Sequence, residues 1–145
     1  MHKMLLIGML LIVQGLPFNK DALCYGDSIA VGYCRGMQGY QKGGSNPRQV
    51  LSYLKHDVNK FYGKDIVVST GVSNNRKDFA SIESQFALLH TSGARSITIL
   101  GPAKGRYDTE NVRILRLCDI YGFKCLGAFT PSSDKVHPRT YKRYE

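Results

Sequence analysis

From residue 20 onward, short apolar or β-branched runs alternate with longer stretches whose apolar residues recur every three or four positions. Residues 22–25 have the length and apolarity of a buried strand, and the segment from Ile29 reads as a helix ended by Gly36 and Gly39. Residues 40–42 make a short second strand. Gly43-Gly44-Ser45-Asn46-Pro47 follows, a turn with proline placed to open a helix. Val50, Leu51, Leu54, Val58 and Phe61 then form a helical stripe with charged residues between them. Residues 65–70 are β-branched and end at Gly71, a strand signal. Asp78 is placed to cap a helix whose Phe79, Ile82, Phe86 and Leu89 share a face. Residues 96–100 predict a further strand, closed by Gly101-Pro102. Residues 108–121 predict a helix with Val112, Leu115 and Cys118 inward, ended by Gly122. Residues 124–129 read as the last strand, and a tail follows.

Strands separated by helices imply an α/β domain with a parallel sheet and helices on both faces. In such sheets ligands collect at the carboxyl ends of the strands. That rule brings four segments to one rim: Ser28 after the first strand, Gly44 after the second, residues 71–75 after the third and residues 134–137 after the last.

The chemistry on that rim is specific. Ser28, in Gly26-Asp27-Ser28-Ile29, sits where a strand turns into a helix, which exposes a hydroxyl. Serine is a poor nucleophile until a base removes its proton. His137 is the candidate base, with Asp134 three residues earlier to orient the ring and stabilise the imidazolium. The backbone N–H groups of Ser28 and Gly44 and the side-chain amide of Asn74 are candidate oxyanion donors. Gly43 competes with Gly44 for that role, and Asn75 with Asn74. Asp27, Asn75 and Lys104 are candidate substrate contacts; Lys104 lies in a Gly101-Pro102-Ala103-Lys104-Gly105 stretch expected to wall the cleft, with Arg106 beside it. Alone, each motif is an ordinary turn or cap. Their joint order on one rim is what argues for chemistry.

Gly26-Asp27-Ser28-Ile29, Gly44, Gly71-x-x-Asn74 and Asp134-x-x-His137-Pro138 resemble the four blocks of the SGNH (GDSL-type) hydrolases, over about residues 20–140. The resemblance implies a three-layer α/β/α sandwich of the flavodoxin-like kind, with a mostly parallel sheet of about five strands. It also implies an esterase that needs no metal or cofactor, with Ser28, Asp134 and His137 as triad and Gly44 and Asn74 in the oxyanion hole. Two features depart from the family pattern. The third block has one extra residue and no Asp, and the chain is short, leaving little for an acyl pocket. A shallow site suits a small acyl group, such as acetyl on a sugar, better than a long lipid chain. The expected activity is therefore hydrolysis of an O-acylated carbohydrate. An acyltransferase using the same triad and a non-catalytic binder of glycan or anionic polymer are the alternatives.

The chain of 145 residues accommodates one domain with a proper core. Residues 20–145 are assigned to it. Residues 1–19 hold a basic start and a short apolar centre, the anatomy of an export signal or membrane-associated segment; the competing reading is a buried strand or helix. The apolar centre is too short to cross a bilayer, where about 20 residues are needed. A net charge of +9 favours anionic partners, such as a cell-envelope polymer or a membrane. The basic residues are scattered, from Arg35 and Lys42 to Arg139, Lys142 and Arg143, and no zinc-finger, helix-turn-helix or RNP pattern marks a specific nucleic-acid binder. Cys24, Cys34, Cys118 and Cys125 form no C-x-x-C pair. They are buried hydrophobes in a reducing compartment. In an oxidising one they allow two disulfides in any of three pairings, with Cys24–Cys34 and Cys118–Cys125 the nearest partners. His2, His56 and His90 have no carboxylate or cysteine at ligand spacing, which argues against a metal site.

Overall fold

A computed structural model describes the backbone of residues 10–13 and 16–19 and the whole of residues 21–138. Its centre is a five-stranded, all-parallel sheet. In chain order the strands are β3 (Leu23–Gly26), β4 (Gln38–Gln41), β5 (Asp65–Ser69), β6 (Ser96–Leu100) and β7 (Lys124–Leu126). They lie side by side as β4-β3-β5-β6-β7. This is the doubly wound order 2-1-3-4-5, in which the chain reverses direction across the sheet beside the first strand. The helices are α1 (Ser28–Tyr33), α2 (Pro47–Asp57), α3 (Phe79–His90) and α4 (Asp108–Tyr121). Two further strands, β1 (Leu10–Val13) and β2 (Leu16–Asn19), pair antiparallel in a separate ribbon. They are the described part of the apolar amino-terminal segment. Residues 1–9 of that segment, and Arg139, Lys142 and Arg143, lie outside the described residues.

Alternation along each strand divides the core in two. Leu23, Tyr25, Ile66, Val68, Ile97 and Ile99 face one way, against Val50 and Leu54 of α2, Ile82, Phe86 and Leu89 of α3, and Ile114 and Cys118 of α4. Cys24, Val67 and Leu100 face the other, against Ile29, Ala30 and Tyr33 of α1 and against Ala103, Tyr107 and Phe129. The molecule is thus an α/β/α sandwich with unequal outer layers, three helices on one side and one short helix on the other. Each fully buried large apolar side chain contributes about 1.5–3 kcal/mol.

Local signals start and stop the elements as their chemistry requires. Asn46 accepts from Gln49 N while Gln49 Oε1 accepts from Asn46 N, a reciprocal capping box, and Pro47 occupies the first helical position of α2. Asp78 Oδ1 accepts from Ser81 N at the start of α3. The stripe beginning at Val50 outlasts α2: Val58–Lys60 is a 3₁₀ turn that delivers Phe61, fully buried, to the core.

Two expectations about elements change. On α4 the inward row is Glu110, Ile114 and Cys118, whereas Val112 and Leu115 are 54% and 38% exposed. Glu110 can face inward because Arg76 pairs with it, and that turns the helix away from the expected apolar row. The last strand also stops at Leu126 instead of Phe129. Its neighbour β6 is followed by Gly101-Pro102, and proline has no N–H to continue the ladder. Phe129 rejoins through an isolated bridge to Ala103.

Both cysteine pairs are closed as disulfides. Cys24–Cys34 ties β3 to the end of α1 across a Cα separation of 6.3 Å, and Cys118–Cys125 ties α4 to β7 across 6.1 Å. Among the described residues no helix is long and apolar enough to cross a membrane.

Candidate active site

The rim is built first by backbone geometry. Gly26 ends β3 at φ +150°, and a Cβ there would meet Ser69 O at 2.5 Å. Only glycine lets β3 close on β5 at that point. Asp27 follows as the N-cap of α1: its Oδ1 accepts from Ile29 N at 3.0 Å and from Ser69 Oγ at 2.7 Å. Ser28 is the first helical residue, so its hydroxyl leaves the carboxyl edge of the sheet.

The last loop comes back to meet it. Ser132 N donates to His137 O at 2.7 Å, and Pro131 bridges Pro138, closing residues 131–138 into a tight loop. Within that loop Asp134 Oδ1 accepts from Ser132 Oγ, Val136 N and His137 N, each at 2.9 Å. Asp134 Oδ2 lies 2.6 Å from His137 Nδ1, and His137 Nε2 lies 2.8 Å from Ser28 Oγ. The bond from His137, aided by the two backbone N–H bonds and by Ser132, holds the Asp134 carboxyl well below the usual carboxylate range. An ionised Asp134 requires the proton on Nδ1. Nε2 is then left to accept from the Ser28 hydroxyl. Serine, imidazole and carboxylate stand in line, joined across 109 residues of chain. The His137 and Asp134 side chains remain 40% and 49% exposed, so the site is open.

The second and third blocks adjoin this line. A Cβ built on Gly43 would stand 3.8 Å from Ser28 Cβ, whereas the corresponding position on Gly44, at φ +79°, faces open space. Asn74 Nδ2 donates to Ser45 O at 2.9 Å, which binds the third block to the Gly43-Gly44-Ser45 turn. Asn75 points elsewhere, its Oδ1 accepting from Lys77 N in an exposed turn. Gly71, at φ +86°, runs so close to the start of α2 that a Cβ would meet Asn46 C at 2.6 Å and Pro47 N at 2.7 Å.

Three sequence expectations are corrected or sharpened by these positions. Asp27 does not contact substrate: it is 1% exposed, and its carboxylate is spent on the α1 cap and Ser69. Burial raises its pKa, against the opposing bonds from Ser69 and the backbone. Lys104 lines an open groove with Gly105, Arg106, Pro131 and Lys135, and neither Ser28 nor His137 is among its lining residues. His56 does have a carboxylate neighbour, Asp57 Oδ1 at 2.7 Å, but Asp57 also accepts from Tyr25 and the cluster stands on the α2 side. Among the described residues no group of three His, Cys, Asp or Glu is arranged to hold a metal ion.

Several supporting residues escaped the sequence reading. Gln85 is fully buried, and its Nε2 donates to Pro47 O at 2.9 Å and Thr70 O at 3.0 Å, joining the Gly43-Gly44-Ser45 turn's segment to the one that leads into Asn74. The signal was a polar residue on the apolar face of α3, three positions from Ile82. Tyr107 OH donates to Ser73 O at 3.2 Å, while Arg76 stacks on the Tyr107 ring at 5.4 Å and pairs with Glu110. The third block is therefore braced from α4.

Scans against family models, curated proteins and solved structures each found no match to this chain.

Proposed function

We propose that the chain is a serine esterase that hydrolyses small acyl esters, O-acylated carbohydrates foremost, through an acyl-enzyme on Ser28. One observation carries this: the Ser28 Oγ, His137 Nε2 and Nδ1, and Asp134 Oδ2 line, with contacts of 2.8 and 2.6 Å. In the first step Oγ bonds to the ester carbonyl carbon as its proton passes to Nε2. The oxyanion is met by the N–H of Ser28, the Gly43-Gly44 turn, with Gly44 as donor, and the Asn74 amide. Collapse breaks the ester C–O bond, and the imidazolium gives its proton to the leaving alcohol. Water then donates a proton to His137 as it attacks the acyl-enzyme, releasing the acid and restoring the serine. The open surroundings of His137 favour a small acyl group and a bulky alcohol.

The test is a panel of p-nitrophenyl esters of rising chain length, run on wild type and Ser28→Ala. Acetate should be hydrolysed fastest, and Ser28→Ala should abolish turnover. Equal rates in the two proteins would overturn the reading.

The same reading includes export. Two closed disulfides in a chain of this size fit an oxidising compartment better than a reducing one. Thiol titration of the denatured protein from its native source should find no free cysteine; four would place it in a reducing compartment.

A further inference from the structure

We propose that the groove beside the His137 loop is a subsite for an anionic group, a carboxylate or phosphate, carried by the ester itself. This deepens the esterase reading and rests on it. The groove has a volume of about 590 Å³ and is lined by Lys104, Gly105, Arg106, Pro131 and Lys135. Three of its five lining residues are cations and none is an acid. Among the described residues none of the three cations is ion-paired.

Asp108 and Asp134, the acids adjoining these residues in the chain, are each held by other donors. Asp108 Oδ1 accepts from Gly105 N at 2.7 Å. Asp134 has one oxygen on His137 and the other on three donors. Three positive side chains thus line one space that no carboxylate lines, and an anion entering it relieves their mutual repulsion.

The walls are fixed, which distinguishes the groove from a loose scatter of surface lysines. Lys104 N donates to Phe129 O at 2.9 Å and Phe129 N to Pro102 O at 3.1 Å, so the segments bearing Lys104 and Pro131 are tied together. Arg106 stacks on the buried Tyr107 ring at 5.5 Å. Lys135 is the strongest sign. It is the one described non-glycine residue with positive φ, at 62°. That conformation is costly for a side chain and free for glycine. A lysine there carries strain that glycine would avoid, and such outliers gather where side-chain placement matters. Lys135 stands between Asp134 and His137 in the loop that carries the imidazole to Ser28. An ester that carries its acid group toward this loop would engage both the serine and the groove.

The experiment compares two acetates of similar shape, neutral phenyl acetate and anionic 4-acetoxybenzoate. The proteins are wild type, Ser28→Ala and the triple variant Lys104→Ala, Arg106→Ala, Lys135→Gly. The quantity read is the kcat/KM of the anionic ester over that of the neutral one; comparing it between proteins cancels the difference in leaving group. Exposed pairs are individually weak, so the triple variant should lower this ratio about tenfold. The wild-type ratio should also fall as sodium chloride is raised. An unchanged ratio overturns the proposal. Lys135→Gly alone should melt at or above the wild-type temperature, because it removes left-handed strain, so a lowered ratio in that variant is not a folding defect. Phenyl acetate hydrolysis that survives Ser28→Ala would sink the esterase reading and leave the groove still testable. Titration of Ser28→Ala with 4-acetoxybenzoate, followed by NMR, should show binding that the three groove substitutions weaken; equal binding would overturn the subsite.

Discussion

Replacing Gln85 with methionine tests whether the two proposed oxyanion blocks are held by one buried amide. Methionine keeps a straight side chain of similar bulk and removes the donor. Two buried carbonyls, Pro47 O and Thr70 O, then lose bonds of 2.9 and 3.0 Å. Thr70 O loses this partner at a cost of about 1–3 kcal/mol, whereas Pro47 O, in the first turn of α2, keeps its helical bond and loses about 0.5–1.5 kcal/mol, together about 1.5–4.5 kcal/mol. Gln85 Oε1 is itself buried without a partner in the folded protein. Its removal returns about 1–3 kcal/mol, which leaves a net loss of about 0.5–1.5 kcal/mol. The functional effect follows from position. Thr70 precedes Gly71, and Pro47 follows the turn that Asn74 holds through Ser45, so loosening both shifts donors that must already be aimed. Misplacement on the ångström scale costs up to about a hundredfold. Urea denaturation should show the stability loss, and p-nitrophenyl acetate kinetics should show kcat down by about tenfold or more with KM little changed. An unaltered urea midpoint together with kcat within twofold of wild type would refute the tie. A loss of stability with KM rising and kcat constant would refute its role in positioning.

Asn74→Ala should lower kcat by about a hundred- to a thousandfold while the far-UV spectrum stays native, and Asn75→Ala should do neither; the reverse result would move the donor to Asn75. Asp27 has its carboxyl raised by burial, so the folded state holds that proton more tightly than the unfolded one. The stability linked to it is full below the ordinary aspartate pKa and is lost as pH rises from there through the raised value. Asp27→Asn keeps an acceptor for the cap and should abolish that decline in urea midpoints measured against pH; an unchanged profile would count against a buried titrating carboxyl. Each disulfide closes a short loop and should contribute about 2–3 kcal/mol. Cys24 and Cys34 are fully buried whereas Cys125 is partly exposed, so limited dithiothreitol followed by alkylation and mass mapping should open Cys118–Cys125 first.

Much of this was legible in local pattern because local chemistry determines it. The β-branched run at 65–70, the Asn46-Pro47 start and the Asp78 cap each carry their cause within a few residues. The line of Ser28, His137 and Asp134 was legible because chain order and the parallel-sheet rule together bring Ser28 and residues 134–137 to one rim. What escaped depends on partners distant in sequence. Glu110 looked like a surface residue of α4 until Arg76, 34 positions earlier, made its burial tolerable and turned the helix face. Asp27 looked like a substrate contact because nothing nearby announces Ser69, which lies 42 residues on. Gln85 was readable only as a polar residue out of place on an apolar stripe; its two acceptors lie 38 and 15 residues away.

The most direct test of the account is covalent. Wild-type protein should be treated with a fluorophosphonate probe, digested and mapped by mass spectrometry, beside Ser28→Ala and His137→Ala. The account predicts one modified site, Ser28, in the wild type, no adduct in Ser28→Ala, and strongly slowed labelling in His137→Ala. A native, folded protein that leaves Ser28 unmodified, or that is labelled equally fast without His137, would contradict it.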